Sequence, residues 1–252
     1  MSINIIDKIV EIIRECIRSS HGVEDPSERA RLLRKLASYL DKIGLREEAR
    51  EALVDALRVA LNIQESHERI LEIVYVANAL RRMGYIDLAF DVLDEGIKSL
   101  QSEEDPEVVL IGLLHIIGEL IDMRAIDKAQ EVVSMILNTI DKLESQEISD
   151  IEILLDALEY IMVLCDEKTK RDLFFRVLER AEEEEDEDVR NRVYEELIYL
   201  ALNQNWLDLA EDIIVNRVTN IYTKVELLGK LIEYYEEKLS RIGLIYEETE
   251  ED

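Results

Sequence analysis

The chain has 252 residues, of which only 8 are Gly and 2 are Pro. A sheet-rich protein needs more turn-forming residues than this. Hydrophobic residues make up 48% of the chain and charged residues 35%, a composition that supplies a core and excludes bulk disorder or a collagen-like fibre. The composition therefore predicts an all-α globular protein.

The charge is strongly acidic and unevenly distributed. The formal net charge is −28, and residues 1–100 contain 15 Lys and Arg against 18 Asp and Glu, whereas residues 101–252 contain 15 against 40. Such a charge repels phosphate backbones within a Debye length of about 8 Å, so we expect no nucleic-acid partner. The excess acid is explained most simply as a contribution to solubility.

The N-terminal region, residues 3–20, is predicted to form a helix. Its apolar face is interrupted by charged residues, so it resembles neither a signal peptide nor a membrane span, and we expect no membrane partner. Cys16 and Cys165 are far apart in apolar helical patterns, which indicates a reducing compartment and a cytoplasmic protein. The Ile- and Glu-rich composition is compatible with a thermophilic source. The apolar face of this predicted N-terminal helix consists of Ile6, Ile9, Val10, Ile13 and Ile17.

A turn motif recurs about every forty residues. The sequence GLREEA at residues 44–49 is followed by GYIDLA at 84–89, RAIDKA at 124–129 and NWLDLA at 205–210, with room for one degenerate copy that places Phe174 in the Ala position. Gly or Asn after an apolar run can adopt the left-handed conformation that ends a helix. Each copy therefore predicts a helix–turn–helix hairpin in which the small Ala allows the two helices to approach closely.

The residues around each turn repeat as well. Leu33, Leu36, Ala37 and Leu40 form an apolar stripe whose spacing recurs at residues 73–80, 113–120, 158–165 and 194–201. Helix starts are predicted at Asp25-Pro26 and Asp105-Pro106, and a capping box is predicted from Ser149 to Glu152. These signals place five hairpins in residues 27–218.

This pattern resembles the tetratricopeptide-repeat family, with the best match at Gly84, Ile86, Ala89 and Leu93. The period is near 40 residues instead of 34, and the proline that usually closes a repeat is missing. The resemblance implies a right-handed α-solenoid in which the first helix of each hairpin lines a concave surface. It also implies a protein-interaction scaffold.

The predicted organisation is a single repeat domain over residues 1–252. It comprises an N-terminal helix at 3–20, five hairpins at 27–218, a C-terminal capping helix at 220–242 and an acidic tail at 247–252. We expect eleven or twelve helices in total.

No motif for catalysis, metal binding or cofactor binding is present. The histidines lack the Glu-x-x-His pairs of di-iron bundles, and the chain has neither a phosphate-binding glycine loop nor a nucleophile elbow. We therefore predict no catalytic, cofactor or metal residues. His115, in a strongly apolar helix, is expected to be a core or interface residue.

The segment from Glu107 to Met123 is apolar on almost every side. Three interpretations remain open: a core helix, a groove for a peptide or amphipathic helix, and a homodimer interface. In a tetratricopeptide-like stack, the first helices of the first three hairpins would form the groove. Its candidate residues are Arg34, Ser38, Leu71, Val74, Asn78, Arg81, Ile111, Leu114 and Ile121.

The predicted function is a non-enzymatic scaffold that binds a protein or peptide partner. The alternative is an all-helical enzyme or a small-ligand-binding regulator without a recognisable motif. We expect the groove to be bipolar, so that a ligand's acidic end lies toward Arg34 and Arg81, with Arg82 beside them, and any basic end lies toward the later repeats. The acidic residues expected there are Asp156, Glu159, Asp166 and Glu195.

Overall fold

The computed structural model describes residues 5–146 and 150–241, apart from the side chains of residues 237 and 241. Within these ranges the secondary structure is entirely helical, so the all-α prediction is confirmed. The helices are α1 (Ile5–Ser20), α2 (Pro26–Lys42), α3 (Arg46–Ala60), α4 (Ser66–Arg82), α5 (Ile86–Leu100), α6 (Pro106–Asp122), α7 (Ile126–Ser145), α8 (Ile151–Leu164), α9 (Glu167–Glu183), α10 (Glu187–Asn203), α11 (Leu207–Asp212) and α12 (Ile221–Arg241), with a π-helical segment at Ile213–Arg217 after α11.

The chain divides into two compact units, residues 1–148 and 149–252. In the first unit, α2 and α3, α4 and α5, and α6 and α7 pair as hairpins, while α4 also contacts α2 and α6. In the second unit, α8 pairs with α9, and α10 contacts both α8 and α12. Within each unit the first helices of successive hairpins are therefore neighbours. The single solenoid over residues 1–252 stays a prediction.

Helix starts in the first unit repeat at an interval of forty residues. Asp25, Glu65 and Asp105 are the N-caps of α2, α4 and α6, and the carboxylate of each accepts a backbone hydrogen bond from the first turn. Both prolines follow an Asp N-cap, as predicted, because the first helical position needs no N–H donor. The N-cap of α8 is Asp150, which accepts from the amide of Glu152; the predicted cap Ser149 lies outside the described residues.

A left-handed residue ends the first helix of four hairpins. Gly44, Gly84, Arg124 and Asn205 have φ values of 85°, 87°, 57° and 65°. The next residue donates its amide to a carbonyl five positions back, as from Tyr85 to Leu80 at 3.0 Å. This bond satisfies a carbonyl at the helix end and turns the chain back onto the first helix. The predicted hairpin turns are therefore present at all four motif copies.

The hairpin of α8 and α9 turns differently. Its first helix ends at Leu164, Cys165 is extended, and Asp166 caps α9 by accepting from the amide of Thr169. Because α9 begins early, Phe174 is its eighth residue. The Ala that ends the turn motif in each of the other hairpins is the fourth residue of its helix. Phe174 is fully buried and packs edge-to-face on Trp206, with ring centroids 5.5 Å apart. The degenerate copy therefore fills the position with a large ring.

The small residues of the other four hairpins lie at helix contacts. Ala49, Ala89, Ala129 and Ala210 have no exposed surface. The predicted stripes of the first helices are buried as well, apart from the half-buried Leu36 and Cys165. The core of each unit therefore follows the predicted register.

The terminal helices differ in part from the predictions. The first begins at Ile5 within the described residues, and of its predicted apolar face Val10 and Ile13 are buried, whereas Ile6 and Ile9 are exposed. The last helix spans 221–241, close to the predicted 220–242, and the acidic tail at 247–252 lies outside the described residues.

The left-handed residues provide a test of the turn geometry. Arg124→Gly should stabilise the protein by about 0.5–1 kcal/mol, because the left-handed conformation costs an L-residue about 1–2 kcal/mol and Gly only its extra unfolded-state entropy. Gly84→Ala should destabilise it by about 1 kcal/mol for the same reason. Chemical denaturation measures both changes. If both variants shifted stability in the same direction, the turn assignment would be wrong.

The Ala positions test the helix packing. Ala89→Leu should destabilise the protein by roughly 1–3 kcal/mol, because Ala89 is completely buried and a larger side chain must push helices apart. The denaturation midpoint is the measurement, and Asp87→Ala, at an exposed position two residues earlier, is the control. An unchanged midpoint for Ala89→Leu would mean that the position is not at a tight contact.

Candidate functional site

All nine predicted site residues lie in the first unit, on the neighbouring helices α2, α4 and α6. The predicted apolar centre is largely closed. Val74 and Leu114 are buried, and the other three apolar candidates, Leu71, Ile111 and Ile121, are half-buried. Most of the apolar residues of α6 are likewise buried, so this helix acts mainly as core.

His115 is not the core residue that was one of its two predicted roles, and the other role, at an interface, stays a prediction. It lies on α6 but is exposed, and its ring centroid is 6.5 Å from that of His67 on α4. The apolar residues on both sides of His115 in the sequence did not indicate that this position of α6 is exposed.

Polar candidates on α4 are held by acidic residues of α6. The Asn78 amide donates to Glu119, and the Arg81 guanidinium donates to Glu119 Oε2 at 3.1 Å and to Asp122 Oδ2 at 2.8 Å. Only 22% of the Arg81 side chain is exposed. Arg81 is therefore a bridge between first helices, and its charge is already matched within the protein.

Arg34 forms the corresponding bridge from α2 to α4. Its Nε and Nη2 atoms lie 3.3 and 3.4 Å from the Glu72 carboxylate, which is almost completely buried. The guanidinium also stacks over the Tyr75 ring at 4.7 Å from its centroid, a favourable cation–π arrangement. Arg34 is thus fixed in place, while the ring of Tyr75 remains 45% exposed beside it.

A cleft of about 470 Å³ lies between α2 and α4 and is strongly basic. We call it the basic groove. Its wall contains four cations that form no ion pair within the described part of the chain: Arg31, Lys35, Lys42 and Arg82. Among the residues that line the cleft the acid is Asp41, whose Oδ1 lies 3.5 Å from Arg46 Nε. Predicted residues Ser38 and Asn78 also line it.

Three of these cations were not among the predicted site residues. Arg31, Lys35 and Lys42 share one face of α2 with Ser38, because their positions differ by four, three and four residues. That spacing was visible in the sequence, but charged residues on a helix face are ordinarily solvated and carry no signal by themselves. Arg82 of the next hairpin, which the sequence placed beside Arg34 and Arg81, lines the same cleft.

The character of the face changes from helix to helix. At corresponding repeat positions, α2 carries Arg31 and Lys35, α4 carries Leu71 and Tyr75, and α6 carries Ile111 with the exposed His115. Asp122 then stands at the place that Lys42 occupies in α2. The first unit therefore already contains a basic, an aromatic and an acidic part.

The predicted acidic residues lie in the second unit. Asp156 and Glu159 lie on the exposed side of α8. Partial desolvation of the Glu159 carboxyl, together with the charges of Asp156 and Glu196, raises its pKa. Glu195 differs, because it forms an ion pair with Lys230 of α12. Asp166 is used as a helix cap, and its hydrogen bonds from Thr169 lower its pKa.

No metal-binding cluster of three or more His, Cys, Asp or Glu side chains occurs in residues 5–146 and 150–241. Cys16 is exposed, and burial raises the pKa of the half-buried Cys165 thiol above its ordinary value. None of the helices in these ranges combines the length and hydrophobicity that crossing a bilayer requires.

The fold and groove define an all-α protein of helical hairpins with a basic cleft between two first helices. No family model matches the chain, and no curated protein matches it. A solved structure described as the crystal structure of Ton1535 from Thermococcus onnurineus NA1 is similar over 89% of this chain and 85% of that chain, with a TM-score of 0.41 and 16% identity. This distant likeness assigns neither a family nor a function.

The acidic cluster gives a pH-dependent prediction. Because the folded state raises the pKa of Glu159, it binds this proton more tightly than the unfolded state, so the cluster's contribution to stability falls as pH rises above the ordinary value of 4.5. Glu159→Gln should therefore stabilise the protein at neutral pH, by at most about 0.5 kcal/mol after solvent screening, and have less effect near pH 4. Denaturation at both pH values is the measurement. An equal effect of the exposed control Glu51→Gln would exclude a role for the cluster.

Proposed function

We propose that this protein is a non-enzymatic interaction scaffold, as the resemblance to tetratricopeptide repeats implies, and that its basic groove binds an acidic segment of another protein. The observation that carries the proposal is the group of four unpaired cations, Arg31, Lys35, Lys42 and Arg82. The chain contains 58 acidic residues against 30 basic ones, yet these four form no ion pair within the described residues.

Electrostatics explains why an anionic partner suits this place. Like charges on one face repel each other, whereas an incoming carboxylate meets several cations at once. Arg34 is held rigidly by Glu72 and Tyr75, so it contributes a fixed wall instead of a flexible charge. Such complementarity increases association rates and selects the partner by its charge.

A peptide fits the groove because the exposed surface is not only charged. Tyr75, which lines the groove on α4, is 45% exposed, and its ring offers apolar contact among the cations. An amphipathic helix or an extended segment presents acids and apolar side chains in alternation, which matches this surface. The surrounding net charge of −28 disfavours a nucleic acid, whose phosphates would be repelled by the rest of the protein.

The test begins with peptides selected from a random display library on the full-length protein. We expect the selected peptides to be enriched in Asp and Glu together with apolar residues. Their affinity, measured by titration calorimetry, should decrease steeply as salt is added, because exposed charges are screened. A charge-matched oligonucleotide should not bind.

Variants then locate the binding site. The double variant Lys35→Glu and Arg82→Glu should weaken binding of a selected peptide at least tenfold, which is about 1.4 kcal/mol. The matched control is the double variant Lys8→Glu and Lys168→Glu, two exposed cations with no described ion pair, and it should leave affinity unchanged. Equal weakening by the control would mean that only net charge matters, and unchanged affinity in the Lys35→Glu and Arg82→Glu variant would remove the groove from consideration.

A second function is favoured by the cations of the cleft. Its volume of about 470 Å³ lies within the range of roughly 300–1,000 Å³ that small-ligand sites occupy, as do those of other clefts in the described chain, so its cations and not its size would select an anion. A regulator or enzyme could bind a small anionic metabolite there. A thermal-shift screen against metabolites and metals separates the two functions: reproducible stabilisation by a small anion, lost in the Lys35→Glu and Arg82→Glu variant, would favour the second.

A further inference from the structure

The last helix, α12, carries an exposed apolar stripe. Ile221, Val225, Leu228, Ile232 and Leu239 lie along it, with Tyr222 beside them, and each is between 42% and 85% exposed. The residues that hold the helix to its own unit are different ones, Leu227 and Leu231, which are buried where α12 contacts α10 and the π-helical segment. The helix therefore has two apolar faces, of which one is unpartnered in the described chain.

The spacing of the stripe is that of a helix-pairing seam. Successive stripe residues are separated by four, three, four and seven positions, the alternation with which a surface helix presents apolar residues to a facing helix. The stripe extends over most of α12, about 27 Å at 1.5 Å per residue. A structural role inside the unit does not explain this pattern, since the inward face is already complete.

The exposed area is large enough for a stable contact. The six side chains together expose roughly 700 Å², which exceeds the apolar patches of about 300–600 Å² found on typical monomers. It is close to the area of about 800 Å² that each partner of an ordinary protein interface buries. The stripe is therefore of the size that a partner covers.

Gly229 provides a second, independent observation. It lies beside the stripe in the middle of α12, where Gly is among the least favourable residues for a helix. A Cβ added at this position would meet no atom within 4 Å in the described part of the chain, so no described neighbour requires a glycine there. A helix packing closely from outside would require one, because the distance between helix axes depends on side-chain size at the contact.

The charge of α12 indicates which partner fits. The helix contains four Glu and four Lys or Arg, so it is neutral in a chain of net charge −28. A basic protein would be attracted by the rest of the acidic surface instead of this neutral element. Two copies of an acidic chain repel each other in general and can approach only where the local charge is balanced.

We propose that α12 is a self-association surface through which two copies of this chain pair about a two-fold axis. In this dimer the stripes of both copies cover each other, and Gly229 allows the two helices to approach closely. The pairing involves the second unit and is independent of peptide binding in the basic groove.

Sedimentation of the full-length protein over a concentration series tests the proposal. The wild type should be a dimer that persists at high salt, since its interface is apolar. Val225→Glu and Ile232→Glu should each raise the dimer dissociation constant at least tenfold, because a carboxylate must be buried. Both positions are exposed in the free chain, so circular dichroism should show unchanged folding. Ile12→Glu, on the exposed face of α1, is the matched control and should leave the dimer intact.

Gly229→Leu separates pairing from folding. Leu is a far better helix former than Gly and its Cβ meets nothing in the described part of the chain, so the variant monomer should be at least as thermally stable while its dimer weakens at least tenfold. A monomeric wild type across the series would overturn the proposal. So would loss of association in Ile12→Glu with assemblies that grow with concentration, because that result indicates head-to-tail contact between α12 and α1.

Discussion

The left-handed residue at the end of each first helix is the constraint on which most of this structure depends. At Gly44, Gly84, Arg124 and Asn205 it turns the chain back so that the second helix packs against the first across a completely buried Ala. Because the hairpins of the first unit restart every forty residues, equivalent faces of α2, α4 and α6 become neighbours. A polar side chain of one first helix therefore contacts residues 38 or 41 positions later, as Arg34 contacts Glu72 and Asn78 contacts Glu119.

The same juxtaposition explains why some cations are available and others are not. Arg34 and Arg81 lie at the boundary between two first helices, where Glu72 and Glu119 of the following helix accept their hydrogen bonds. Exposed pairs of this kind contribute little free energy, but partly buried ones fix the helices in register. Arg31, Lys35 and Lys42 lie on the outward face instead, where no acid of the next helix reaches them. Whether a cation is available to a partner thus depends on its angular position around the helix.

Much of the fold was predictable because its signals are local. Turn glycines, Asp N-caps and the spacing of apolar residues each report on a few neighbouring residues, and the structure has them where the sequence indicated. The turn at Cys165 and Asp166 was not predictable in this way, since it lacks a left-handed residue and moves the start of α9 by about one turn. Of the predicted site residues, Arg34, Ser38 and Asn78 line the basic groove, while their role in binding stays a prediction. The pairing of Arg81 and the exposure of the α12 stripe depend on tertiary neighbours, which residue spacing does not specify.

Partner binding in the groove between α2 and α4 can be located residue by residue. The most direct measurement is the backbone amide NMR spectrum of the 29.3 kDa protein during titration with a selected acidic peptide. The chemical-shift changes should concentrate at the amides of residues 31–42 and 75–82, and the amides of α12 should be unaffected. Shifts concentrated on α10 and α12, or spread evenly over the surface, would contradict binding in the groove.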